Sequence, residues 1–195
     1  MTNFALPMAA AILFALPAAA SAQALPAPVI AVVDVQRAMT TCNACKTALT
    51  QLEAQVNSLK ALQTLLDGSL RTEAASIQTA ANALAGKEPD AALSARARAF
   101  EKKQTDSRNQ LQAREQTFQR NRAYVLQQIG QKLDPVLTSV LARRNATVML
   151  DSATVLRTAP AIDVTNEVIA ALNASLTTVS TTAPAQAQPA PPKGR

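Results

Sequence analysis

CNACKTALTQLEAQVNSLKALQTLLDGSLRTEAASIQTAANAL, residues 42–84, decides how the rest of the chain is read. Apolar side chains recur in it at alternating steps of three and four: Cys42, Cys45, Leu49, Leu52, Val56, Leu59, Leu66, Leu70, Ile77, Ala80 and Leu84. A 3.5-residue period held over about six heptads predicts a coiled-coil helix, with Gln63 and Glu73 as polar interruptions of its seam. The helix is expected to open at Gln36, directly after a short strand. AGKEPDAAL, residues 85–93, then breaks the pattern. Gly86 suits the left-handed position that ends a helix, and Glu88, Pro89 and Asp90 make an acidic start with proline near the first turn of the next. Folding about Lys87 sets Phe100, Leu111, Phe118, Val125, Ile129 and Leu133 level with Ala75, Thr64, Asn57, Thr50, Lys46 and Cys42. The expectation is one antiparallel helical hairpin from Gln36 to Asn145, reaching about 60 Å from its base at ~1.5 Å per residue.

So long an arm leaves little of a 195-residue chain to build a core. Alanine is the largest contributor to the 48% hydrophobic content, and there is no Trp or His. A monomer of this composition struggles to offset its conformational entropy, so self-association is expected. Lack of histidine removes the commonest general base and metal ligand. The net charge of +6 is concentrated in the returning helix, where Arg96 to Arg122 carries eight cations against three anions. Such a run is either a solvated face or an attractor for anionic partners. Few aromatics interleave with it and no groove-reading motif is present, which argues against nucleic acid.

At the N-terminus, an apolar run ending in Ala20-Ser21-Ala22 has the form of an export signal cleaved after Ala22, although MTN supplies no Lys or Arg ahead of it. The run is shorter than the ~20 residues needed to span a bilayer. VIAVVDV, residues 29–35, reads as a strand buried on both faces. Pro135 should bend the returning helix, and Arg143, Arg144 and Asn145 should close it, with Asn in the left-handed cap. Asp163 is expected to cap a last helix, Val164 to about Leu176, whose stripe of Val164, Val168, Ile169, Leu172 and Leu176 docks on the body. TTAPAQAQPAPPKGR, residues 181–195, lacks apolar anchors and is expected to be disordered.

IAVVDVQRAM (30–39), ATVMLD (146–151) and IDVTNEVIAALN (162–173), set around a long basic hairpin, together resemble the Skp or OmpH family of periplasmic chaperones. The likeness covers about residues 29–176. It implies an α+β fold: a long antiparallel coiled-coil hairpin, or tentacle, on a small β-barrel-like body that trimerises. Val29–Val35, Thr147–Asp151 and Val155–Arg157 are then the body strands. The implied division is a signal peptide (1–22), a body (23–35 and 133–178), a tentacle (36–132) and a disordered tail (179–195). The implied function is that of an ATP-independent holdase, binding unfolded outer-membrane proteins in a cavity between basic arms of a homotrimer in the periplasm. The alternative is a periplasmic coiled-coil spacer, or a binder of anionic lipid without chaperone activity. The nearest equivalents of the family's positive tentacle tips are Arg96, Arg98, Lys102 and Lys103, assigned by position. They would meet client, anionic phospholipid or lipopolysaccharide, and none falls on the expected seam.

Cys42-Asn43-Ala44-Cys45 is the one redox-like motif. An oxidoreductase C-x-x-C follows a strand and opens a helix, whereas these cysteines are read as lying a turn or two inside one. Small residues usually stand here in the resembled family, so the pair is a departure from it. A structural disulfide, within or between subunits, is the expectation for an exported chain. Two cysteines without histidine make a poor zinc site. Neither a phosphate loop, a nucleophile elbow nor a converging carboxylate pair is present, so no catalytic residue, metal or cofactor is expected.

Overall fold

A computed structural model describes residues 26–185; the expected signal segment and the last ten residues of the tail lie outside them. The chain runs β1 (Ile30–Val33), α1 (Val35–Thr41), α2 (Asn43–Asn82), α3 (Ala91–Arg143), β2 (Val148–Asp151) and α4 (Thr165–Ser175), with single 3-10 turns at Ser152–Thr154 and Pro160–Ile162. Ala31, Val32 and Val33 are buried, and Asp34 caps α1 by accepting from the backbone N–H of Arg37 at 2.7 Å.

Contrary to the expected continuous helix, the chain breaks at Cys42, whose backbone is extended (ψ 148°). Thr40 and Thr41 hydroxyls bond back to the carbonyls of Gln36 and Arg37, competing with the helix ladder. Cys42 then restarts the helix: its Sγ accepts from the N–H of Cys45, and the side chain of Asn173 in α4 accepts from the N–H of Asn43 at 2.7 Å. Two donors at the start of α2 are thereby satisfied.

At the far end α2 stops at Asn82, and the turn passes through Ala85 and Gly86, both with positive φ (49° and 90°). Asp90, rather than the residues before it, is the N-cap of α3, accepting from Leu93 N–H at 2.7 Å; Pro89 sits outside the helix. Lys103 faces Glu73 and Asn121 faces Gln55, so the fold axis lies near Glu88, one residue from the expected Lys87. α3 remains helical through Pro135. It ends in a Schellman turn, with Ala146 N–H bonded to Leu141 O, Asn145 N–H to Ala142 O, and Asn145 left-handed at φ 50°.

That turn reverses the descending chain, so β2 runs parallel to β1, with Ile30 opposite Val148 and Val33 opposite Asp151. Thr147 consequently lands beside Val29, to which it is hydrogen-bonded. Val155–Arg157 is not a strand; the other edge of β1 is met instead by a single parallel bridge from Asp163 to Val32. The core gathers Ala31 and Val33 with Ala38, Cys42 and Cys45, the base of α3 (Val125, Ile129, Leu133, Val136, Val140) and the α4 stripe (Val164, Val168, Leu172, Leu176).

α4 starts one residue later than expected, at Thr165, and Asp163 caps it from outside by accepting from Thr165 N–H at 2.9 Å. Thr165's hydroxyl and backbone N–H hold the Asp163 carboxyl below the usual range, against the opposing effect of burial. Glu167 accepts from Arg144 Nε at 2.7 Å and Arg143 Nε at 3.1 Å, clamping α4 to the end of α3. Arg144 first, and then Arg143, lower its pKa while burial opposes them. A carboxylate with a lowered folded pKa contributes stability above its unfolded value and loses it as pH falls through the folded one. Glu167→Gln should therefore cost roughly 0.5–1 kcal/mol near neutrality. In calorimetric melts the gap to wild type should close as pH falls through the lowered pKa of Glu167; a gap unchanged by acid would mean that its charge contributes nothing.

Candidate functional site

Four cations near the hairpin tip are the first candidates, and the structure divides them. Lys103 is half-buried and reaches across the arms to Glu73 at 2.6 Å, so it belongs to the seam it was expected to avoid. Arg96 also crosses, donating from Nη2 to Ser76 Oγ at 2.9 Å. Both line a shallow cleft with Thr72 and Gly68. Lys102 is exposed and pairs along its own helix with Asp106 at 2.6 Å. Arg98 is exposed and makes no ion pair among the described residues. Arg96 is likewise exposed and has no ion pair among the described residues, so an anionic partner near the tip meets Arg96, Arg98 and Lys102, with Lys103 withdrawn between the arms.

Cys42 and Cys45 are bridged to each other in the structure, and both are fully buried. Their setting differs from the reading at one point: the motif does open a helix, since Cys42 is the N-cap of α2. Thiol exchange needs an approach to a sulfur atom, and burial under the body core denies it. Here the bridge fastens the break between α1 and α2 into the core.

A third place, at the base of the arms, brings together residues that the heptads do not single out. Asn121, only 7% exposed, donates to Gln55 Oε1 at 2.9 Å across the hairpin. Above this pair a cleft of about 400 Å³ opens between Leu59, Leu62, Phe118 and Arg114, with Thr182 at its mouth. Thr182 belongs to a segment that follows α4. Residues 177–185 do not leave the molecule; they lie along the two arms, with Val179 packed against the core. The tail expected to be disordered from residue 179 is thus placed to residue 185, and its remainder lies outside the described residues.

Five hydrogen bonds hold this segment. Ser180 N–H donates to Gln128 Oε1 at 3.0 Å and Gln128 Nε2 donates to Ser180 O at 2.8 Å. Gln55 Nε2 donates to Thr181 O at 3.1 Å, and Ala183 N–H donates to Asn121 Oδ1 at 2.9 Å. Thr181 Oγ1 donates to Gln51 Oε1 at 2.8 Å. The available signal was Asn121, a polar residue standing where the seam of Phe118 and Val125 should be continuous; Gln55 gave none, since Val56 beside it keeps the seam of Leu52 and Leu59 unbroken.

The sequence matches the family described as "Outer membrane protein (OmpH-like)" over residues 29–172. No curated protein sequence matches it. Among solved structures, a crystal structure described as an OmpH-like outer membrane chaperone from Caulobacter crescentus CB15 superposes with a TM-score of 0.67. At 22% identity it covers 80% of this chain and 90% of that one, a likeness of fold.

The divided cations can be separated by double-mutant cycles read in thermal melts. Lys103–Glu73, partly shielded between the arms, should couple by about 0.5–1 kcal/mol, and Lys102–Asp106, on an open helix face, by about 0.3–0.5 kcal/mol or less. Equal couplings would place Lys103 in solvent.

Proposed function

This chain belongs to the OmpH-like family, and we propose that it is a periplasmic, ATP-independent holdase without enzymatic activity, which shelters unfolded outer-membrane proteins between the arms of a homotrimer. The observation that carries the reading is the arm. α2 and α3 continue far past the last fully buried residues of the base, Leu52 and Asn121, apart from Ser107. Structure that extends beyond its own core is there to meet something else. One stretch of its outer half, EKKQTDSRNQ at residues 101–110, has no large apolar side chain. Such a lining holds an unfolded chain through many weak contacts without locking onto it.

Assembly is supported by the body. Ile30, Val148 and Leu150 share one face of a two-stranded parallel sheet and are 41, 39 and 37% exposed, and Leu156 beside them in the chain is fully exposed. A parallel pair is ordinarily covered on both faces, and two strands alone are marginal in water. Copies of the same chain, adding strands around an axis, supply what one protomer lacks. Arg98 and Lys102 on three arms then present a positive rim to clients or anionic lipid, acting over roughly 8 Å at physiological salt.

Native mass measurement at micromolar concentration should give a trimer; a stable folded monomer would sink the cage. Diluting a urea-unfolded outer-membrane β-barrel into a threefold excess of subunits should suppress turbidity, and no suppression would leave a coiled-coil spacer or lipid binder. Arg98→Gln with Lys102→Gln should slow client capture roughly twofold to fivefold at low salt, the difference shrinking as salt rises. Capture at the wild-type rate would make the tip a solvated face only.

A further inference from the structure

The segment that follows α4 is held almost entirely by its main chain. Of its five hydrogen bonds to the arms, four engage a backbone N–H or C=O: both at Ser180, the carbonyl of Thr181 and the N–H of Ala183. Gln128 pairs with Ser180 through both ends of its amide, as a neighbouring strand does. The side chains of Ser180 and Thr182 remain exposed. No ion pair fixes the segment, and its one apolar contact beyond Leu176 is the half-buried Val179. Hydrogen bonds that replace equivalent bonds to water stabilise weakly.

The receiving groups are built in. Asn121 is more than nine-tenths buried, and its Oδ1 has the Ala183 N–H as its partner while its Nδ2 is committed to Gln55. The Gln55 Oε1 is taken by Asn121, so its Nε2 is aimed at the segment. The cleft continues beyond Thr182 between Phe118, Leu59 and Leu62. It can seat more chain than these residues fill.

We propose that Gln55, Asn121 and Gln128 form a site for an extended polypeptide segment of no fixed sequence, read through its main chain, and that residues 177–185 are a removable strap occupying it. That the displacing chain is an unfolded client rests on the holdase reading; the site itself does not. When an incoming segment takes the same four main-chain bonds, the strap leaves with little net loss. The strap thus keeps buried amides satisfied in the idle protein and sets a threshold that a client must exceed.

The test uses the full-length chain and a fluorescent peptide of residues 177–185, TTVSTTAPA. Ser180→Pro with Ala183→Pro removes the two strap N–H donors and should loosen the strap. By fluorescence anisotropy this variant should bind the peptide at least tenfold more tightly than wild type does. A scrambled peptide should bind within about threefold of the original, because one side-chain bond, that of the Thr181 hydroxyl to Gln51, is all that scrambling removes. A peptide N-methylated at the positions of Ser180 and Ala183 should not bind, and Gln128→Leu added to the loosened variant should abolish binding. Circular dichroism confirms that each variant keeps its helices. A helical, strap-loosened chain that ignores the peptide overturns the site, and binding that vanishes on scrambling overturns main-chain reading. Peptide binding that persists while client turbidity is not suppressed would uphold the site and remove the holdase reading.

Discussion

Full burial in this molecule ends early. On α2 it covers Ala44, Cys45, Ala48 and Leu52; on α3 it runs from Asn121 to Val140, with Ser107 as an outlier. Burying an apolar side chain contributes roughly 1.5–3 kcal/mol, while fixing each backbone residue costs about 1–2 kcal/mol. Base residues, which meet α1, α3 and α4 together, sit on the favourable side of that comparison. The outer arm, with Leu59, Leu66, Leu70, Ile77 and Leu84 only half-buried, does not. It is sustained mainly by helix-local terms instead: the Lys102–Asp106 pair, the Gln78–Asn82 bond, and the cap at Asp90. Local opening should therefore begin at the tip and stop at the base. This gradient leaves a working arm compliant while its root stays fixed.

The hairpin was legible because its signals are local and repeated. A seam recurring every 3.5 residues survives single exceptions, which is why Leu49, 38% exposed, could be placed on it when Ala48 in fact takes the buried position. The left-handed Asn145 and the proximity of the fold axis to Lys87 follow from the same kind of local evidence. What escaped depends on partners distant in the chain. The break at Cys42 has neither Gly nor Pro to announce it, and it persists because Asn173, from α4, satisfies Asn43. β2 became parallel through one turn at Asn145, which no propensity scale encodes. Composition marked the start of the tail as unanchored, yet it is placed by hydrogen bonds to Gln128 and Asn121, which are distant in the chain. Lys103 was assigned to the tip by its position and expected off the seam, whereas a flexible lysine stem can reach back over the seam to Glu73.

A row of cations is usually weighed by its number, but here orientation matters more. Lys103 pairs with Glu73 across the hairpin and lends its charge to arm geometry, while Arg96, Arg98 and Lys102 are exposed, Arg96 bonding across only to the neutral Ser76 hydroxyl. Exposed pairs such as Lys102–Asp106 are weak enough to exchange for an incoming anion. The tip can therefore attract at a distance and release on contact. Charges committed between the arms keep the two helices in register meanwhile.

Asn121 occupies a level of the α3 seam where leucine would pack better, with Gln55 facing it from beside Val56, and polar groups buried there cost stability unless every donor and acceptor is matched. The structure matches them with a strap whose backbone supplies an N–H and a C=O at the required places. Any extended chain carries the same groups at nearly the same spacing, since the backbone repeats about every 3.3 Å whatever its side chains. A site that exchanges one main chain for another has affinity set by the difference between two similar hydrogen-bonded states. That difference is small by construction, and no nucleotide is needed to reverse it. A client held this way at the base, and by weak polar contacts along the arm, remains free to leave when its own β-sheet begins to satisfy its backbone.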